Sequence, residues 1–210
     1  MRELPLFPLH TVLFPGMPLE LHIFESRYRE MIQSCLDGSQ LFGVVLIRQG
    51  DEALGPLPQP HRIGCTARIV RFHPLADGRM NILTVGLDRF QILDIHLDKP
   101  YLIGQVEFLP MEKPHSMELL IQSRPTTGLI HQYIRQVIDN TRSYDLPHDP
   151  LTLAYLAASL LQIEPYEKQQ LLESMDAVAL TATIIRLLKR EIRLNQYFGT
   201  QVENPTARMN

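Results

Sequence analysis

The feature that most constrains this chain is a change of hydrophobic period near residue 110. Before it, apolar residues recur at every second position or in short solid runs; after it, they recur every third or fourth. A period of two belongs to a strand with one buried face, and a period of 3.6 to an amphipathic helix. Strands followed by helices, segregated along the chain, make an α+β protein. Leu102, Gly104, Val106 and Phe108 alternate with Ile103, Gln105, Glu107 and Leu109, as a half-buried strand requires. Two more strands, near 64–73 and 79–86, flank Asp77-Gly78, a pair that favours a tight hairpin because Gly adopts positive φ without strain. A further strand near 89–97 follows Gly86-Leu87-Asp88, and Phe42 to Ile47 is a solid apolar run suited to a strand buried on both faces.

One helix interrupts this β pattern. Phe24, Tyr28, Met31, Ile32, Cys35 and Leu36 form a stripe at helical spacing. Glu25 and Arg29 stand one turn apart in the favourable order, and Asp37-Gly38 supplies a left-handed cap. Many short strands with one early helix predict a partly closed β-barrel plugged by that helix over residues 1–112. Residues 50–62 form a long loop rich in Pro and Gly, and 110–116 read as a linker.

Beyond the linker, three amphipathic runs predict a helical subdomain over 117–200, packed as a small bundle. The first contains Leu129, Tyr133, Ile134, Val137 and Ile138; the second Leu153, Leu156, Ala157, Leu160 and Leu161; the third Leu180, Ile184, Leu187, Leu188 and Ile192, with Asp176 as its N-cap. Residues 201–210 read as a flexible tail. Arg186, Lys189, Arg190 and Arg193 form a cationic row that fits the solvated face of the last helix, near the end its dipole favours.

Charge bears on what the chain can bind. With 20 basic against 23 acidic residues the net charge is −3, and the basic residues are scattered. A protein that tracks a nucleic-acid backbone concentrates cations, because counterion release supplies much of the affinity. Nucleic acid is therefore disfavoured. Cys35 and Cys65 are expected as buried free thiols, since two cysteines make no secreted disulfide scaffold. No apolar run approaches the ~20 residues that span a bilayer, and the opening lacks a signal-peptide cleavage pattern. A soluble, cytoplasmic protein without membrane association is the expectation.

Motifs for chemistry are missing. No Gly precedes a Lys, so no phosphate-cradling loop is present. No Gly-x-Ser-x-Gly elbow occurs, no two cysteines are close, and none of the eight histidines forms a helical zinc pair. Catalytic, metal and cofactor residues are all expected to be absent. His10 and His22, converging with His73 or His96, form the one grouping that folding could assemble, and surface positions suit them better. Apolar residues on loops that no core claims, Leu54, Leu57 and Leu75, are the candidate peptide-binding residues.

Several stretches, in order, resemble one family. They are Leu4-Pro5-Leu6-Phe7-Pro8-Leu9, Leu13-Phe14-Pro15-Gly16-Met17-Pro18-Leu19 and Leu21-His22-Ile23-Phe24-Glu25-Ser26-Arg27-Tyr28; then Ile63-Gly64-Cys65-Thr66-Ala67-Arg68-Ile69 with Asp77-Gly78-Arg79, and Val85-Gly86-Leu87-Asp88-Arg89-Phe90; and finally Lys168-Gln169-Gln170-Leu171-Leu172-Glu173 with Asp176. Together they resemble the Lon N-terminal (substrate-binding) domain family over about residues 3–195. One departure is Leu180-Thr181, where the family carries Arg-Leu, so a salt bridge of its helical subdomain is expected to be lost or rewired. The resemblance implies a PUA-like barrel followed by a helical bundle, with most motif residues in scaffold roles: Phe24 and Tyr28 on the helix's buried face, Glu25 and Arg27 as a fixed polar pair. It implies a non-catalytic module that binds unfolded or hydrophobic protein segments, with a separate protease or chaperone as a further partner. With its end at Asn210, the chain is expected to be a stand-alone copy without the ATPase and Ser–Lys protease domains. RNA binding through the PUA-like barrel is the alternative that fold analogy implies.

Overall fold

The computed structural model describes residues 2–53, 55–111, 117–138 and 145–202. The chain is α+β, with a mixed six-stranded sheet and five α-helices among these residues. It divides into two compact units, Met1–Met111 with Ile163–Glu173, and Glu112–Gln162 with Ser174–Asn210.

The first unit holds all the strands: β1 (Arg2–Leu9), β2 (Pro18–Ile23), β3 (Leu41–Gln49), β4 (Gln59–Pro74), β5 (Met80–His96) and β6 (Leu102–Phe108). Their order is β2-β5-β4-β3-β1-β6, and β6 pairs again with β5. Five strands thus form a closed cycle of ladders, and β2 hangs on β5 outside it. Only β1 and β3 run parallel. The cycle closes because β5 is long: Met80–Val85 pairs with β2, while Phe90–His96 pairs with β6. Phe90 fills its centre against Leu4, Leu6, Val45, Ile92, Leu102 and Val106. That ring fits because Gly43 and Gly64 face it; a Cβ at either would come within 2.7 Å of Phe90 Cζ.

The run Phe42 to Ile47 is buried throughout, and Gly78 turns the β4–β5 hairpin at φ +80°. The expected break between strands at Gly86-Leu87-Asp88 is absent, because β5 runs straight through it. Gly86 serves a close approach instead: its N–H donates to Met17 O (2.9 Å), its carbonyl accepts from Gly16 N (2.8 Å), and a Cβ would fall on the Phe14 carbonyl oxygen.

Helix α1 (Ser26–Leu36) buries Tyr28, Met31, Ile32 and Cys35. It starts later than the stripe suggests, since Glu25 is extended (φ −70°, ψ 137°) and occupies the N-cap position. Phe24 therefore lies outside the helix and is 46% exposed, a correction to its expected place on the buried face. The left-handed residue past the helix is Gln40 (φ 58°), not Gly38; Gln40 N–H reaches back to Cys35 O at 2.8 Å. Glu25 pairs with Arg27 (2.9 Å), and Arg29 lies instead against Ser26 Oγ and Gly78.

Helix α4 (Pro165–Glu173), within the stretch read as helical subdomain, belongs to the strand-bearing unit. Two motif residues of otherwise unassigned purpose attach it. Buried Arg89 donates from Nη1 to Leu172 O (2.8 Å), satisfying a carbonyl at the helix C-terminus. Gln169 Nε2 donates to Ile63 O (2.9 Å) and Glu173 Oε1 (2.8 Å).

In the second unit, α2 (Met117–Tyr133) continues into a π-helical turn, Ile134–Ile138, and packs with α3 (Pro150–Leu160) and α5 (Ala177–Val202). Helix α2 is longer than its periodicity predicts, passing through Pro125. The hydroxyls of Thr126 and Thr127 donate to the carbonyls of Gln122 and Ser123 beside the proline. Asp149 caps α3 through Thr152 N–H (2.8 Å), and Asp176 caps α5 through Val178 N–H (2.9 Å), as its position predicts. Leu180 and Thr181, the departure from the family pattern, are both buried, and the threonine hydroxyl donates to Ala177 O. Arg186, Lys189, Arg190 and Arg193 are exposed. No helix is long and apolar enough to cross a membrane among the described residues. The tail expected over 201–210 lies outside them from residue 203 on, as do linker residues 112–116.

Candidate functional site

Strand β2 alternates as a half-buried strand must. Leu19, Leu21 and Ile23 point inward, opposite Thr84, Ile82 and Met80 of β5; Glu20 and His22 point outward. Among the described residues β2 pairs only with β5, so its other edge keeps unpaired backbone groups.

A cleft of about 300 Å³ lies at that edge. Residues 20–25, consecutive in the chain, all line it. Neighbours in an extended strand face opposite ways, so one cleft can touch all of them only by running along the strand's edge. Its inner side is apolar: Phe7 and Leu9 of β1 with Tyr28 of α1, Phe7 and Tyr28 stacked at 4.2 Å and 20°. Burial, against the opposing pull of Arg27, pushes the Tyr28 phenol up to about 12, so it stays protonated at neutral pH. Phe24 sits at the end of the cleft, its ring 6.2 Å from that of His22.

The facing wall is Glu52 and Ala53. This loop is fastened on two sides. His10 N–H donates to Glu52 Oε2 (2.6 Å), and Arg27 Nη1 donates to Gly55 O (3.1 Å). Arg27 is itself fixed by Glu25 (2.9 Å, side chains 14% and 15% exposed) and lies 4.8 Å over the Tyr28 ring. The charged residues lining the cleft are Glu20, Glu25 and Glu52, with no Lys or Arg. Arg27 offsets Glu25; Glu20 and Glu52 have no salt bridge among the described residues.

A second cleft, of about 430 Å³, lies on the outward face of the same strand and shares Glu20, Leu21 and His22 with the first. Register builds it from two cross-strand rows, His22–Asn81–His73 and Glu20–Leu83–Arg71. His22 Nδ1 donates to Asn81 Oδ1 at 2.6 Å. Of the histidines that folding might have gathered, His22 and His73 share this cleft while His10 and His96 do not line it. Among the described residues no group of three or more His, Cys, Asp or Glu is placed to hold a metal ion. Cys35 and Cys65 are both buried and free.

The candidate leucines fare differently from one another. Leu54 lies outside the described residues. Leu57 is half-buried and packs against the Phe90 core, and half-buried Leu75 sits at the β4–β5 turn, where its N–H bonds Arg79 O. Neither Leu57 nor Leu75 lines either cleft. Of the lining residues, Glu20 and His22 escape a reading by periodicity because Pro15, Gly16 and Pro18 disguise β2 as loop, and Phe24 because it falls in phase with the stripe of α1. The usable signal is phase: Phe24 follows Ile23 on a strand whose inward residues are the odd-numbered ones, so it points away from the core.

Comparison with known proteins agrees with this architecture. The chain is 29% identical over 205 residues to the Lon protease of Syntrophus aciditrophicus, covering 91% of this chain and 24% of that protein. It is 28% identical over 212 residues to Lon protease 2 of Herpetosiphon aurantiacus, covering 96% and 26%. The chain thus spans about a quarter of the length of such relatives. In fold it resembles the Lon N-terminal domain protein from Xanthomonas campestris (TM-score 0.61, 24% identity, covering 89% of this chain and 98% of that one). It also resembles the N-terminal domain of the Mycobacterium avium complex Lon protease (TM-score 0.68, 20% identity, 90% and 98%). A family model described as the ATP-dependent protease La (LON) substrate-binding domain matches residues 3–190, and the chain belongs to that family.

Proposed function

We propose that this protein is a non-catalytic recognition module that binds unfolded or hydrophobic segments of other proteins, held extended along the open edge of β2. One observation carries the reading: a cleft with an apolar inner side runs along a strand edge that pairs with no other strand among the described residues. Main-chain hydrogen bonds from an edge supply affinity for any extended chain, and alternate side-chain contacts supply preference. A folded protein seldom offers such a segment, because most of its backbone groups are already paired and its sheet edges are kept short or covered. On this reading the cycle of strands acts as a PUA-like, partly closed barrel that fixes β2, and α2, α3 and α5 form a helical bundle of their own. The loop that carries Leu57 contributes a wall through Glu52 and Ala53. Family membership supports protein substrates as the partner class; a separate protease or chaperone is the proposed recipient of what is bound.

The test is retention of a permanently unfolded protein, such as reduced and carboxymethylated α-lactalbumin, without ATP. The unfolded form is expected to bind and the native form not. Equal binding of both, or of neither, would refute the reading.

A further inference from the structure

The lining of the cleft carries charge as well as apolar surface. A segment added beside β2 continues its alternation, so side chains of one parity meet Leu21, Ile23 and the Phe7–Tyr28 stack, while those of the other parity meet Glu20 and His22. The inward positions call for apolar residues. The outward positions face Glu20, and Glu52 looks across from the loop; neither has a salt bridge among the described residues, and no Lys or Arg lines the cleft.

We infer that the β2 edge selects extended segments in which apolar residues alternate with Lys or Arg. This rests on the recognition reading above and sharpens it by naming the ligand's chemistry. Opposite charges across a strand pair favour the match, like charges oppose it, and both effects grow where the cleft excludes water. An acidic segment would set carboxylate against Glu20 and Glu52, and a nucleic-acid strand would set phosphate there. Because β2 spans six residues, the matched segment is about six residues long.

The experiment compares fluorescein-labelled peptides by anisotropy: alternating Val-Lys, alternating Val-Glu, and alternating Val-Lys carrying N-methyl groups on every second amide. The Val-Lys peptide should bind about tenfold more tightly than Val-Glu, with most of that margin lost at high salt. Glu20→Lys, at an exposed position on an edge strand, should reverse the order, and N-methylation should abolish binding by the unaltered protein if the blocked amides face β2. The second N-methyl register serves as the control. Equal or tighter binding of Val-Glu overturns the inference and leaves the recognition module standing. Equal binding of both N-methyl registers and the parent overturns strand addition. If no peptide binds while unfolded α-lactalbumin does, recognition lies off this edge; if nothing binds, both readings fall.

Discussion

Truncating Phe24 separates a binding residue from a structural one. The side chain is 46% exposed, and an aromatic residue of its size presents roughly 200 Å² in full, which leaves roughly 90 Å² open to solvent. At ~25 cal/mol per Å², complete coverage by a ligand is worth at most about 2 kcal/mol, or a ~30-fold change in Kd. Incomplete coverage and the ordering of the bound segment reduce this, so Phe24→Ala should weaken binding of an apolar-basic peptide about tenfold. The same change should cost little stability, on the order of 1 kcal/mol, since a half-exposed ring leaves no sealed cavity. Tyr28, 2% exposed, is the contrast: Tyr28→Ala should cost ~3–5 kcal/mol. Anisotropy titration gives the first quantity and urea unfolding the second. Unchanged peptide affinity in a stable Phe24→Ala protein would refute the placement of the site, and a loss of 3 kcal/mol or more in stability would refute the exposed position of the ring.

Other expectations follow from packing and titration. Gly86→Ala should cost about 1–3 kcal/mol in urea unfolding, because its Cβ meets the backbone of Phe14 rather than a flexible side chain. Gly128→Ala, within α2 with nothing inside 4 Å of the new Cβ, should instead gain ~0.5–1 kcal/mol. Arg89→Met removes the donor to Leu172 O and should cost ~1.5–3 kcal/mol, with faster amide exchange across Pro165–Glu173; Lys should not restore it, having no planar fork. Cys35 and Cys65 should resist thiol reagents at pH 8 until the protein unfolds. Burial raises the Cys35 thiol from 9.0 to about 11 and raises Cys65 as well. The unfolded thiols ionise first, so stability is full below about pH 9 and falls toward pH 11, at up to ~1.4 kcal/mol per unit for each thiol.

How much of this could be read from the chain alone differs by residue. The Phe42–Ile47 run, the Asp77-Gly78 hairpin and the Asp176 cap are local signals, and the structure matches them because each depends on neighbours within a few positions. Gly86 reads locally as a turn, yet its reason is a backbone some seventy positions earlier at Phe14. Periodicity shows the first helical run only from Leu129, whereas α2 begins at Met117 and passes through Pro125, where the hydroxyls of Thr126 and Thr127 take up nearby carbonyls. Helix α4 joins the strand-bearing unit through Arg89 and Gln169, contacts that span 83 and 106 positions. The cleft is assembled from β1, β2, α1 and the 52–53 loop, four segments whose meeting no periodicity encodes. The family resemblance points to recognition of protein segments, and the contact surface proposed for it is the edge of β2, whose cleft neither Leu57 nor Leu75 lines.

The most direct measurement is the NMR spectrum of the protein with a bound alternating apolar-basic peptide. If strand addition is right, the amides of Glu20 and His22, which the β2–β5 ladder leaves pointing to the open edge, become protected from exchange, and cross-strand proton contacts join the peptide backbone to β2. Protection elsewhere, with Glu20 and His22 exchanging as in the free protein, would contradict it.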